Sequence, residues 1–301
     1  MNPVVALINL LEILCLPLHF LLILLLFRFS KQPPLNSSFF AQLLSLTIND
    51  ALFCLIHPIS VLFKEVHMED FPVLTATVQN TIHRVFMSGH AVCLLTIAIN
   101  RVINVLGPMQ AQVIWTSKQT RAVIYLQWTV AVAKCILFMH PDAWMTFKNG
   151  NLTIEVPESV APITVTNQIL TVVSAVQSAV VTAGLVLCYS LCALSFVYSC
   201  ISGAMTDQET FHNQVKMSVH GIIISAFAVV KFITYYLFAV VCNFEWMSRL
   251  HQLVMLIAIY AEFITGPLVA FLLSKWLRQK TVLLLKPVSV SVVRSFRANQ
   301  V

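Results

Sequence analysis

Apolar and polar positions are segregated on a long scale in this chain. Seven hydrophobic runs, each closed by a polar break, fall at about Val4–Phe27, Phe39–Phe63, Asn80–Ile103, Ala122–Met139, Val165–Ser199, Val215–Cys242 and Leu250–Leu273. Roughly 20 apolar residues carry a helix across ~30 Å of hydrocarbon, so each run has the length of a span. No water in the bilayer core can satisfy a backbone N–H or C=O, so each run is predicted helical. The expected fold is an all-α membrane protein, a bundle of seven transmembrane helices in a single domain over residues 1–301.

Composition supports the pattern. The chain is 58% hydrophobic and 10% charged, with mean hydropathy +0.85. A soluble domain carries about 25% charged residues, so too little polar surface is present to solvate a globular exterior. The net charge of +6 is spread by topology rather than gathered for nucleic acid. With the N-terminus outside, twelve basic residues fall on inner connections, span ends and the tail, among them Arg28, Arg101, Lys216 and Arg278. Four fall outside: Lys64, Arg84, Lys148 and Arg249. The positive-inside bias therefore predicts N-terminus outside and C-terminus inside.

The first run is too long for a signal h-region and lacks a basic lead, so it is expected to remain as the first span. Asn151-Leu152-Thr153 is an N-glycosylation acceptor in the second outer connection, whereas Asn36-Ser37-Ser38 falls on the inner side. Alternation over Leu152–Val156 predicts a short strand or hairpin there. Residues Ser274–Lys286 interleave basic side chains with Trp276, Leu277, Leu283 and Leu284, the pattern of an amphipathic helix on the inner leaflet. The eight cysteines lie within spans or at their ends with no CxxC spacing, which reads as apolar packing and not as a metal site. No cofactor is expected. GxSxG, HExxH and P-loop patterns are absent, and catalysis is not expected.

Charges inside a membrane cost ~2.5–3.5 kcal/mol each and mark candidate function. Asp50 sits near the middle of the second run, either as a conformational switch or as a neutralised core acid. Arg101, preceded by Asn100, closes the third run, where its guanidinium can turn into the bundle or out to a partner. Lys231 and Glu262 stand 14 and 11 residues from the inner ends of the sixth and seventh runs. At ~1.5 Å per residue these are similar depths, within reach of an interhelical ion pair that locks the bundle, holds a ligand or is purely structural. Glu12 and Lys134 lie nearer the outer side. Helix direction makes Phe86, His90, Gln177, Tyr235, Tyr236 and Tyr260 candidates for a pocket taking a small, largely apolar molecule. His90 also reads as a satisfied core histidine.

These residues resemble those of a family. Asn49-Asp50 in the second run, Ile99-Asn-Arg-Val102 ending the third, and the Gly107-Pro108 and Ile114-Trp115 that follow are similar to G protein-coupled receptors. Pro17 and Leu35–Phe40 bring the chain nearest the nematode serpentine chemoreceptors of class V or class G. The resemblance covers the whole chain. It implies a chemosensory receptor in the plasma membrane of sensory neurons, in their cilia, with a heterotrimeric G protein and a small-molecule ligand as partners. Asp50 then matches the family's second-span acid, and Arg101 the arginine of the G protein face.

Departures are plain. No cysteine opens the third run or stands in the second outer connection, so the disulfide usual between them cannot form. No acid precedes Arg101, the sixth run has no proline, and Gly266-Pro267 stands where Asn-Pro-x-x-Tyr is usual. The alternative reading is a small-solute transporter or channel using Lys231 and Glu262 near the midplane. It would require broken helices and internal symmetry, and the sequence has no evident repeat.

Overall fold

The computed structural model describes residues 3–31, 37–67, 72–107, 111, 113–138, 146–148, 151–153, 163–202, 208–233 and 248–285. Within them the long helices are α1 (Pro3–Arg28), α2 (Ser38–His67), α3 (Pro72–Leu106), α4 (Ser117–Phe138), α5 (Ile163–Ser202), α6 (Gln208–Phe232) and α7 (Ser248–Leu273). A short α8 (Lys275–Leu285) follows α7. Strands β1 (Thr146–Lys148) and β2 (Asn151–Thr153) form an antiparallel hairpin between α4 and α5, with Phe147 opposite Leu152.

Each expected span has its helix, and the differences lie at the ends. α3 starts at Pro72, eight residues before the apolar run, and α6 starts at Gln208, seven before it. Apolarity fixes where lipid begins, whereas a helix can continue into water until a cap or proline stops it. The hairpin begins earlier than the predicted strand, and residues 154–156 of that expectation lie outside the described residues. So do Pro33, Pro34, Tyr235, Tyr236 and Cys242, together with the side chains of Lys134 and Asn151.

Length and apolarity suffice for crossing a membrane in Ala6–Arg28, Ser38–Leu62, Thr81–Leu106 and Val176–Ser202, with shorter apolar stretches at Ser218–Phe232 and Tyr260–Leu273. The helices close a ring: α1 packs on α2 and α7, α3 on α2, α4, α5 and α6, and α7 on α6. Polarity is inside out. Leu7, Leu14, Phe27, Leu187 and Tyr198 are exposed, while Glu12, His19, Asn49, Asp50, His90, Asn100, Arg101 and Glu262 are buried. That is the arrangement a lipid solvent selects, with apolar faces outward and charges turned to the bundle axis.

Local chemistry sets the helix ends. Thr116 Oγ1 accepts from the Gln119 N–H at 3.3 Å while Gln119 Oε1 accepts from the Thr116 N–H at 3.1 Å, a capping box that starts α4. Pro267 inside α7 has no N–H for the carbonyl of Phe263. His19 of α1 brings its Nε2 to 3.2 Å from that carbonyl. Arg278 donates to the Phe271 carbonyl at 2.9 Å and to that of Leu272, capping the C-terminal end of α7. α8 then turns back on α1: Trp276 meets Phe29 edge to face at 5.7 Å, and Lys280 lies 4.8 Å above the Phe29 ring.

Candidate functional site

Polar side chains occupy three levels of the bundle, and helical spacing explains each. On α2, Asp50, Phe53 and His57 follow i, i+3, i+7 and share one face. His83, Phe86 and His90 repeat that spacing on α3 and run the opposite way. The two faces meet, so His90 lies against Asp50 and His83 against His57.

At the middle level His90 Nδ1–H donates to Asp50 Oδ1 at 2.7 Å. Its other nitrogen faces Glu262 Oε1 at 3.4 Å, within ion-pair distance but short of a hydrogen bond. Glu262 Oε2 accepts from Lys231 Nζ at 2.5 Å. One continuous polar chain thus runs Asp50 (α2), His90 (α3), Glu262 (α7), Lys231 (α6). Asn49 supports it, donating from Nδ2 to Asp50 Oδ1 at 3.2 Å and to the Phe86 carbonyl at 3.1 Å. Glu262 and His90 are sealed from solvent, whereas the Lys231 side chain keeps 16% of its surface exposed.

Nearer the outer end predicted from charge, Tyr260 O–H donates to His57 Nε2 at 3.1 Å, and His57 Nδ1–H donates to Glu12 Oε2 at 3.0 Å. One neutral imidazole tautomer satisfies both contacts. Phe53 sits between the two levels, stacked on Phe263 at 4.1 Å and on His57 at 5.0 Å, with Phe86 and Tyr260 each at 6.2 Å. This aromatic plug separates the ionic layers.

At the opposite end Arg101 is buried, its guanidinium carbon 3.5 Å from the centroid of Phe39. No carboxylate pairs with it among the described residues, so a ring quadrupole and not an ionic lock holds the charge. Asn100 Nδ2 donates to Ser38 Oγ at 2.9 Å and Gln42 Oε1 at 3.0 Å, fastening α3 to the start of α2. Nearby, Gly221 of α6 leaves room for the Tyr189 hydroxyl of α5, which occupies the place of a β-carbon.

The residues singled out from sequence therefore separate. Asp50, His90, Glu262 and Lys231 come together, and Phe86 and Tyr260 line the adjoining aromatic layer. Gln177 is bound to Ser88 of α3 at 2.8 Å. Arg101 and Asn100 form a distinct inner layer. Sequence reasoning missed the contact of Glu12 with His57, the place of His83, and His90 as the bridge between two acids. The seven-residue spacing of polar groups in apolar runs would have found the last two. It could not show which helix faces which.

A ring of seven long helices with charges on its axis and apolar faces outward defines a multi-pass membrane protein of the seven-helix receptor class. A family model described as 7 transmembrane receptor (rhodopsin family) matches residues 20–280. The match spans most of the chain, and the chain belongs to that family. No curated protein matches it. Its members are receptors that signal through G proteins, not enzymes, and membership sets the carrier or channel reading aside.

Proposed function

We propose that this receptor is chemosensory: a small molecule entering from the outer side shifts a two-state bundle and opens the inner end to a heterotrimeric G protein. The N-terminus lies outside, the basic tail inside, and the chain is one domain of the plasma membrane, in keeping with its likeness to chemoreceptors of ciliated sensory neurons. The observation that carries this reading is the polar chain Asp50–His90–Glu262–Lys231, which joins four helices beside an aromatic layer. A ligand that changes any one contact alters the packing of all four. It shifts the equilibrium only by its better contacts with the active state.

Arg101 is the output. It lies buried over Phe39 in this conformation and becomes available when the inner ends of α5 and α6 part from α3. Asn100 keeps α2 and α3 together during that motion. The test is Arg101→Ala in cells bearing a promiscuous Gα subunit, with a second-messenger readout and surface labelling. Signalling is expected to vanish while surface expression persists. Unchanged signalling would remove Arg101 from the mechanism.

A further inference from the structure

The inner end of α1 and the whole of α8 carry charge of one sign. Residues 13–49 and 263–301 hold eight Lys and Arg and no Asp or Glu. Five of the eight lie among the described residues: Arg28, Lys31, Lys275, Arg278 and Lys280. The acids that charge bias puts on the inner side, Asp207 and Glu209, stand at the passage from α5 into α6, whereas α8 packs on α1 and α7. Packing gathers three of the five cations at one seam. Phe29 and Trp276 meet edge to face at 5.7 Å, which sets the end of α1 against α8. Lys280 is held over both rings, 4.8 Å from the Phe29 centroid and 5.4 Å from that of Trp276. Arg28 and Lys31 flank Phe29 in the chain, and both are exposed. The other two point elsewhere: Arg278 caps α7, and Lys275 lies about 140° around the helix from Lys280. Phe27 is exposed and Arg28 follows it, so hydrocarbon gives way to head groups at this level. Val282 and Leu283 of α8, also exposed, form an apolar edge for the adjoining acyl chains.

We propose that the seam between α1 and α8 binds a polyanionic lipid, a phosphoinositide whose head group bears phosphomonoesters, with Arg28, Lys31 and Lys280 around it. That the lipid belongs to the inner leaflet rests on the topology of the receptor reading above; the binding itself does not. Lys and Arg clustered directly beyond a span attract anionic lipid. Several phosphates on one head group suit this seam better than a lipid of single charge, because the cations converge from two helices on one place. A guanidinium also matches a phosphate bidentately, which fixes the head group at Arg28. A ring face holds an ammonium without cancelling its charge, so Phe29 and Trp276 position Lys280. A soluble inositol phosphate lacks the acyl chains that Phe27, Val282 and Leu283 are placed to contact, and the lipid is the occupant for that reason.

The experiment places the full chain in phosphatidylcholine nanodiscs containing a bisphosphorylated phosphoinositide, or phosphatidylserine at the same total charge, and counts retained lipid by native mass spectrometry. The phosphoinositide is expected to stay bound in preference to phosphatidylserine. Arg28→Gln together with Lys31→Gln is expected to weaken its binding about thirtyfold, the loss that two surface cations imply. Removing the same charge at the start of α4, by Lys118→Gln together with Arg121→Gln, is expected to leave binding unchanged, since α4 packs on α2 and α3. All four side chains are exposed, and equal melting temperatures show that both variants fold. Equal retention of phosphatidylserine, no loss in the α1 variant, or an equal loss in the α4 variant would overturn the proposal. Displacement of the lipid by soluble inositol trisphosphate at equal concentration would overturn the choice of occupant. The signalling test of Arg101→Ala does not involve this seam, so the receptor reading and this proposal fail separately.

Discussion

Removing the ammonium of Lys231 while keeping the length of its stem, as in Lys231→Met, leaves Glu262 fully buried with only His90 at 3.4 Å to answer its charge. Two unit charges ~4 Å apart attract by about 4 kcal/mol at the effective dielectric near 20 that suits protein sites. Breaking a buried pair by deleting one partner costs about 3–5 kcal/mol, because the survivor stays desolvated and unpaired. Lys231 retains some exposure, so the expected loss for Lys231→Met is about 3 kcal/mol, at the lower edge of that range. Glu262→Leu strands the less buried partner, which can reach water along its stem, and is expected to cost only about 1–2 kcal/mol. The double variant replaces the pair by apolar groups of similar volume and should lie within about 1 kcal/mol of the native protein.

The assay is thermal unfolding in lipid nanodiscs followed by a thiol-reactive dye. Cys54, Cys93 and Cys192 have no solvent-exposed surface, so their labelling reports loss of the bundle. At about 2–4 °C per kcal/mol, Lys231→Met should melt roughly 6–12 °C lower. The double-mutant cycle should show about 3–6 kcal/mol of coupling between the two positions. Additive single effects, or coupling under about 0.5 kcal/mol, would refute the claim that this contact holds α6 to α7.

Four other outcomes are expected. Gly221→Ala drives a β-carbon into the Tyr189 hydroxyl, with ring atoms Cζ and Cε1 at 2.5 and 2.8 Å, and should cost about 1–3 kcal/mol in the same melt. Tyr189→Phe will not rescue it, since the ring remains in the way. Gly184→Ala meets only the flexible Cδ1 of Leu95 at 2.6 Å and should be nearly silent. Asn151→Gln should raise gel mobility as glycosidase treatment does, and an epitope at Met1 should label intact cells; labelling only after permeabilisation would invert the topology.

The architecture was legible because a bilayer imposes one rule on every span, and seven apolar runs obey it. The depth match of Lys231 and Glu262 was legible for the same reason, since rise per residue is fixed. Rotation about each helix axis was not. Whether Arg101 turned in or out depended on Phe39, a residue 62 positions away whose ring happens to face α3. His90 read as a core histidine sooner than as a ligand anchor, because the sequence does not show that Asp50 stands on one side of it and Glu262 on the other. Glu12 was conspicuous as a charge in an apolar run, but its partner His57 lies on another helix, and only packing of α1 against α2 brings them within 3.0 Å.

On the function proposed above, the polar chain at the centre couples four helices to one another and does not merely fill a core. A buried polar network that satisfied every atom would hold one state firmly, and any second state would cost several bonds at once. Here His90 Nε2 and Glu262 Oε1 stand 3.4 Å apart, an ion pair that falls short of a hydrogen bond and so holds the arrangement less firmly. The same reasoning applies at the inner end, where Arg101 rests on a ring and not on a carboxylate. A cation–π contact, worth about 2 kcal/mol when desolvated, is surrendered more readily than a buried ion pair, whose disruption costs about 3–5 kcal/mol. Meanwhile the contact of Phe53 with Phe86 and the Asn100 bridge to Gln42 tie α2 to α3 at both levels of the bundle.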